Sequence, residues 1–257
     1  SPAAKDFVCN HKIELMTAGA PPPAAVLQGV EKLGFNVTQV YGLTETYGHT
    51  VMSTWNSDWD NLDAEARAKL KARQGAAMVM TAGMRIVDME SGADVPVDGE
   101  TIGEILIRGN TIMKGYLKDQ DNTAESLKDG WFHTGDLAVM HAQGYAEIKD
   151  RLKDIIISGG ENISSVEIEG VLHKHPAVSL AAVVALPDEK WGEVPCAFLE
   201  LLEGKSVSEN EIDTFCRSQL AGFKRPKKVV FGELPKTATG KIQKYELRAL
   251  ARSGKLN

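Results

Sequence analysis

The sequence predicts a chain of α/β and α+β character in three successive stretches. Three observations carry this. A helix-like run is followed at once by a strand-like run over residues 24–41. Short alternating strands separated by Gly and Asp turns fill residues 84–148. Beyond Arg151, two Ser-x-x-Glu capping signatures alternate with apolar runs.

Each element has a local reason. Residues 24–33 read as a helix ending before Gly34, and Phe35–Tyr41 alternates as a strand that turns at Gly42. Within the polar stretch Trp55–Arg73, Asp63–Ala72 reads as an exposed helix. Met84–Asp88 is a strand before a turn at Ser91-Gly92, Thr101–Arg108 alternates again, and Tyr145–Ile148 closes a small antiparallel sheet or barrel. The charge run Asp150–Asp154 marks a boundary, giving domains 1–150 and 151–257. Ser164 and Glu167 predict a capping box and a helix from about Ser165 that ends before Pro176. Val178–Leu186 reads as a buried strand and Val194–Leu201 as another. Ser208 and Glu211 predict a second box and a helix to about Leu220, followed by a strand at Lys228–Leu234 and a helix at Lys244–Arg252.

Composition bounds the function. The 257 residues are 43% hydrophobic and 25% charged, as in ordinary globular proteins. No run of 18 apolar residues marks a membrane span. The start shows no signal-peptide pattern, and Lys255-Leu256-Asn257 is not a peroxisomal ending, so a cytoplasmic protein is expected. Cys9, Cys196 and Cys216 lack zinc spacing and are too scattered for a disulfide framework. Cys216 falls on the apolar face of a helix with Ile212, Phe215 and Leu220, as a buried thiol would. The net charge of −6 is uneven: from Arg217 onward 11 Lys and Arg face 2 Asp and Glu, while the preceding residues hold 18 against 33. A cationic lobe of this kind suits an anionic ligand, or is a solvated face. No nucleic-acid motif is present, and no nucleic-acid partner is expected.

Four stretches carry chemistry. Pro235-Lys236-Thr237-Ala238-Thr239-Gly240-Lys241 is a hydroxyl-rich loop ending in a lysine that could meet phosphate. It is not a Walker A loop, because Pro235 stands where that motif needs glycine and Ile242 follows the lysine. A solvated turn is the alternative. Tyr41-Gly42-Leu43-Thr44-Glu45-Thr46 closes a strand, where α/β sheets bind ligands. There a ring suits a base, a hydroxyl a phosphate and a carboxylate Mg²⁺, unless Thr44 simply caps a helix. In Trp131-Phe132-His133-Thr134-Gly135-Asp136, the aspartate suits a ribose diol, or is a turn residue after a core pair. Ser158-Gly159-Gly160-Glu161-Asn162 admits a thin ligand, or is a strand-to-helix turn.

Together these stretches resemble the superfamily of adenylate-forming enzymes, which includes acyl-CoA synthetases, peptide-synthetase adenylation domains and luciferases. Thr17-Ala18-Gly19-Ala20-Pro21, Gly103–Gly109, Gly115-Tyr116-Leu117 and Arg151-Leu152-Lys153-Asp154 stand in the family's order with them. The resemblance implies the end of the large adenylate-forming domain with its β-rich subdomain over 1–150, and the small mobile α+β domain over 151–257. It implies ATP and AMP, Mg²⁺ and coenzyme A as cofactors, and a small carboxylic acid as substrate, with a homo-oligomer left open. By resemblance, Gly19, Ala20, Pro21, Tyr41 and Gly42 would surround the adenine. Thr44 would contact the α-phosphate, Glu45 would bind Mg²⁺, and Asp136 and Arg151 would hold the ribose. Lys153 would be the hinge, Gly159 and Gly160 would line the CoA channel, and Lys241 would be the catalytic lysine of adenylation. Gly42 would also leave the acyl pocket deep where acetate-activating relatives carry tryptophan, favouring four-carbon or longer acids, or aromatic ones.

One departure matters. The family's Gly- and Ser/Thr-rich phosphate loop belongs upstream of Thr17, and this chain has none. The expectation is therefore the C-terminal portion of an acyl-CoA synthetase, inactive alone. Two alternatives stand: an adenylation domain that loads a carrier protein, and a non-catalytic nucleotide-binding fragment.

Overall fold

A computed structural model describes residues 9–19, 24–238, 240–254 and 256, with Ala24 and Ala25 described by backbone alone. The chain forms two compact units, residues 1–148 and 149–257.

The first unit opens with β1 (Ile13–Thr17), α1 (Ala24–Glu31) and β2 (Phe35–Leu43). β1 and β2 pair in parallel, with Thr17 opposite Gln39, so both carboxyl ends lie at one edge. Leu27 of α1 is buried, and so are Val37 and Val40, which lie on opposite faces of β2. β3 (Gly48–Met52) returns antiparallel to β2 through a short 3-10 turn at Thr44–Thr46, with Tyr47 at φ 53°. α2 (Ala64–Lys71) falls within the expected Asp63–Ala72 helix and is capped by Asp63, whose carboxylate accepts from the Ala66 N–H. β4 (Ala76–Ala77) completes this sheet in the order β1-β2-β3-β4.

The β-rich region forms a second, five-stranded sheet. It holds β5 (Thr81–Val87), β6 (Gly103–Gly109), β7 (Leu127–Lys128), β8 (Trp131–Met140) and β9 (Ala146–Arg151), with α3 (Gln120–Ser126) leading into β7. Val51, Ile86, Ile105, Ile107, Ala138 and Ala146 make its core. β8 is longer than the sequence suggests: ten residues including Thr134-Gly135-Asp136, not a turn after an aromatic pair.

The second unit packs β10 (Ile156–Ser158), β11 (Glu161–Ile163), β12 (Val178–Asp188), β13 (Gly192–Leu201) and β14 (Lys228–Phe231) into one sheet. Three helices accompany it: α4 (Ser165–Leu172), α5 (Glu209–Arg217) and α6 (Lys244–Arg252). Alternate residues of β12 feed two cores, Ala181 and Val183 with Ile168 and Ile212, and Ala182 and Val184 with Leu247. A strand buried on both faces explains its unbroken apolar run. Cys216 is buried with Ile212 and Leu220 as expected, and burial pushes its thiol up to about 11.

The two capping signatures behave differently. Ser208 and Glu211 form the full reciprocal box. Ser164 accepts from the Glu167 N–H at 3.1 Å, but the Glu167 carboxylate turns outward to Lys224 Nζ at 2.7 Å. A charge-assisted contact replaces half of the predicted box. α5 ends three residues short of the expected Leu220, and β14 ends at Phe231 rather than Leu234.

Candidate functional site

In the first unit, chemistry gathers at the carboxyl edge of β1 and β2. Gly19 follows β1 with φ 93°. Ala20 and Pro21 lie outside the described residues. Tyr41 ends the regular part of β2, and its hydroxyl donates to Asp136 Oδ2 at 2.7 Å. The strand-end ring and the carboxylate of β8 therefore share one place.

Gly42 faces the backbone of β3. A Cβ there would stand 1.9 Å from the Gly48 carbonyl oxygen and 2.6 Å from His49 Cα. Hairpin closeness alone thus requires glycine at this position.

Thr44 is exposed at the start of the turn and does not act as a helix cap. Thr46, which sequence reasoning did not single out, ties the turn together. It is buried, accepts from the Leu43 N–H at 2.9 Å and reaches the Gly48 carbonyl at 2.6 Å.

Glu45 is held by a neighbour also absent from the expected site. The Tyr116 hydroxyl donates to Glu45 Oε1 at 3.1 Å, and the Met113 N–H donates to the Glu45 carbonyl at 2.8 Å. Burial, then the Glu45 carboxylate, holds the Tyr116 pKa above its ordinary value, so it stays a donor. Among the described residues no cluster of three or more His, Cys, Asp or Glu could hold a metal. A single oriented carboxylate fits Mg²⁺, which arrives with phosphates and keeps several waters.

Asp136 is 4% exposed, and its backbone N–H donates to Thr134 Oγ1 at 3.1 Å. Around it, Thr134 Oγ1 donates to the Ile105 carbonyl at 2.7 Å and the Gly135 N–H donates to Glu104 Oε1 at 2.9 Å.

In the second unit, Arg151 and Lys153 sit at one turn. The Asp154 and Ile155 N–H groups both donate to the Arg151 carbonyl, at 2.9 and 3.1 Å, with Lys153 exposed between. Asp154 is ion-paired to Arg248 of α6. Asp150, 2% exposed, accepts from the Arg151 N–H and from the Ser165 N–H that opens α4.

Gly159 and Gly160 form the two-residue turn of the β10–β11 hairpin, with φ 60° and 89°. The turn is strand-to-strand, not strand-to-helix. A Cβ on Gly159 would meet the Trp191 ring at 2.9 Å, and the Gly159 N–H donates to the Trp191 carbonyl at 2.8 Å. Lys190 Nζ lies 4.6 Å above that ring.

The Lys241 loop is a closed hairpin. Thr237 N–H donates to the Lys241 carbonyl at 2.9 Å, Lys241 N–H to Thr237 Oγ1 at 3.1 Å, and Gln243 N–H to the Pro235 carbonyl at 2.8 Å. Thr239 lies outside the described residues. Glu200 of β13 anchors the base, accepting from the Leu234 N–H at 3.2 Å and Lys236 Nζ at 2.7 Å. The lysine hydrogen bond is the first cause that holds the Glu200 carboxyl below its ordinary value.

Two family models match the chain. The AMP-binding enzyme model covers residues 3–117 and the AMP-binding enzyme C-terminal domain covers residues 167–241. The chain is 56% identical over 244 residues to 2-methylpropanoate–CoA ligase CCL4 of Humulus lupulus, covering 93% of this chain and 44% of that protein. It is 51% identical over 247 residues to the acetate/butyrate–CoA ligase AAE7, peroxisomal, of Arabidopsis thaliana, covering 94% and 43%. Among solved structures it is similar to o-succinylbenzoate CoA synthetase (MenE) of Bacillus subtilis in complex with the acyl-adenylate intermediate OSB-AMP. That match has 32% identity and a TM-score of 0.81, over 96% of this chain and 48% of that one. ATP-bound MatB of Rhodopseudomonas palustris gives 31% identity and a TM-score of 0.80, over 91% and 44%. The chain spans less than half the length of these relatives. No helix among the described residues is long and apolar enough to cross a membrane.

Proposed function

The chain belongs to the AMP-binding enzymes, and from that premise we propose that it is the C-terminal portion of an acyl-CoA synthetase for short carboxylic acids. In the first half-reaction a carboxylate oxygen attacks the α-phosphorus of MgATP, forming acyl-AMP and releasing pyrophosphate. In the second, the CoA thiol attacks the acyl carbon, forming acyl-CoA and releasing AMP. The printed names of the relatives, which run from acetate to butyrate and 2-methylpropanoate, support a two- to four-carbon acid rather than a long or aromatic one.

The observation that carries the nucleotide reading is the Tyr41–Asp136 hydrogen bond at the carboxyl edge of two parallel strands. It fixes a flat ring beside an acceptor for ribose hydroxyls, the arrangement a nucleoside needs. Gly19, Ala20 and Pro21 would complete the adenine wall, and Thr44 would meet the α-phosphate. Glu45 would hold Mg²⁺, which when bound neutralises phosphate charge during transfer. In the second unit, Arg151 would hold the ribose, Gly159 and Gly160 would border the pantetheine arm, and Lys241 would meet the charge that builds between carboxylate and α-phosphate. Residues 1–150 would be the end of the large domain and 151–257 the small domain, turning about Lys153. A cytosolic location is proposed for the whole protein, and fractionation against peroxisomal markers decides it.

The test is carboxylate-dependent pyrophosphate exchange with acetate, butyrate and 2-methylpropanoate. We expect exchange by the full-length protein and none by these 257 residues alone, because they carry no phosphate loop. Exchange by the 257-residue chain overturns the fragment reading. Thioester formed on a carrier protein but not on free CoA overturns the synthetase reading.

A further inference from the structure

The strand that carries Asp136 is irregular where it passes β6. The ladder pairs Glu104 with Leu137 and Leu106 with His133, so three residues, Thr134–Asp136, stand opposite Ile105 alone. Such a bulge withdraws backbone groups from the ladder and re-aims the side chains it carries. The displaced groups need other partners.

Glu104 supplies the main one. Its Oε1 accepts the Gly135 N–H at 2.9 Å, and its Oε2 lies 2.8 Å from His133 Nδ1. One carboxylate thus grips both sides of Thr134. Its side chain is 13% exposed, so water competes little for these contacts. Thr134 Oγ1 then links the bulge back to Ile105 and forward to the Asp136 N–H. The chain of contacts ends on the Asp136 carboxylate, where Tyr41 donates.

We propose that Glu104 is a positioning residue for nucleotide selection: by clamping the Thr134–Asp136 bulge it holds the Asp136 carboxylate where a ribose diol can donate to it. Glu104 itself touches no substrate. The proposal rests on Asp136 as the ribose contact, and it assigns the discrimination between ribose and deoxyribose partly to a residue on the neighbouring strand.

The experiment compares ATP with 3′-deoxyATP in the full-length protein, as a ratio of kcat/KM in pyrophosphate exchange. Calorimetric affinity for AMP against 3′-deoxyAMP gives the same comparison without turnover. Loss of a hydrogen bond to a charged acceptor should give the wild type a preference of about tenfold or more for the ribonucleotide. Glu104→Ala and Glu104→Asp should each lower that preference at least about threefold, since neither can span His133 and Gly135. Glu104→Gln keeps an acceptor for Gly135 and a donor for His133, and should stay within about twofold of wild type. KM for the carboxylic acid should not move.

If Glu104→Ala does not fold, Glu104→Asp carries the comparison. A folded Glu104→Asp or Glu104→Ala protein with the wild-type preference overturns the proposal. A wild type without any ribose preference overturns the Asp136 reading first, and the Glu104 proposal with it. A wild-type preference that is lost in Asp136→Asn but kept in Glu104→Asp overturns the Glu104 proposal alone.

Discussion

The Tyr116 hydroxyl meets Glu45 Oε1 at 3.1 Å across 71 residues of sequence. The contact is reinforced by the Met113 N–H on the Glu45 carbonyl and by Tyr116 N–H donation to Thr123 Oγ1 at 2.9 Å. The Gly115-Tyr116 motif therefore acts as a brace on Glu45, the carboxylate proposed to receive Mg²⁺.

Tyr116→Phe should raise the Mg²⁺ concentration that half-saturates adenylation by about threefold to tenfold, in line with ~0.5–1.5 kcal/mol for one hydrogen bond. Thermal stability should change little, because Tyr116 is 38% exposed. Mg²⁺ titration of pyrophosphate exchange, with Mn²⁺ binding as the direct readout, checks it. An unchanged metal dependence would mean that Tyr116 only packs the turn.

Gly42 carries a stability prediction that precedes any statement about acyl length. A Cβ there meets the Gly48 carbonyl at 1.9 Å, which only backbone displacement relieves. Gly42→Ala should destabilise by ~1–3 kcal/mol, the usual cost of overpacking. Gly42→Trp would then report on a disturbed hairpin as much as on pocket depth. The acyl-length profile is better read from wild-type kcat/KM for acetate, propionate and butyrate. A rise of about fourfold per added methylene is expected while the pocket has room. Unfolding curves of Gly42→Ala that overlay wild type would contradict the close-approach argument.

Lys153 is exposed in a turn closed on the Arg151 carbonyl by the two residues after it. Lys153→Pro would fix φ near −65° and push Leu152 toward extended backbone. The turn would then hold one geometry. In the full-length protein, one half-reaction should fall at least about tenfold while the other survives, as expected when rotation between two states is blocked. Separate assays with ATP plus acid, and with supplied acyl-AMP plus CoA, measure each. Equal rates in both, unchanged from wild type, would remove Lys153 from the hinge.

What the sequence makes legible here is local. The Ser208–Glu211 box, the helix within Asp63–Ala72 and the span of α6 follow from neighbouring residues, and the structure has them as read. Glu167 shows where local reading fails, because Lys224, 57 residues away, takes the carboxylate that the box would use. β1 lies in a short segment whose strand nature depends on a parallel partner, β2, rather than on its own alternation. β8 was hidden by Thr134-Gly135-Asp136, which reads as a turn and is a bulge inside a strand. The candidate site follows the same division. Tyr41, Glu45, Asp136 and Lys241 sit in compact motifs, whereas their supports, Tyr116, Glu104 and Glu200, are joined to them only by tertiary contacts.

Glu200 gives the last prediction, because the loop that bears Lys241 rests on it. Its Oε2 accepts from both Leu234 N–H and Lys236 Nζ at the root of the hairpin. These contacts hold its pKa below the ordinary value, so ionised Glu200 contributes stability above the unfolded-state pKa and loses it as pH falls through the folded one. At neutral pH Glu200 is therefore ionised. Glu200→Leu removes both contacts without opening a cavity. If the clamp presents Lys241 to the reacting carboxylate, Glu200→Leu should slow adenylation by about tenfold, less than the ~10²–10³-fold expected for Lys241→Ala, which deletes the cation itself. If Lys241 serves the first half-reaction only, as proposed, thioester formation from supplied acyl-AMP should remain within about twofold in both variants. Glu200→Gln, which keeps an acceptor but not the charge, should fall between Glu200→Leu and wild type. Equal damage to both half-reactions by Lys241→Ala would detach the lysine from adenylation. Full adenylation by a folded Glu200→Leu protein would show that the loop keeps its geometry through the Thr237 and Pro235 bonds alone.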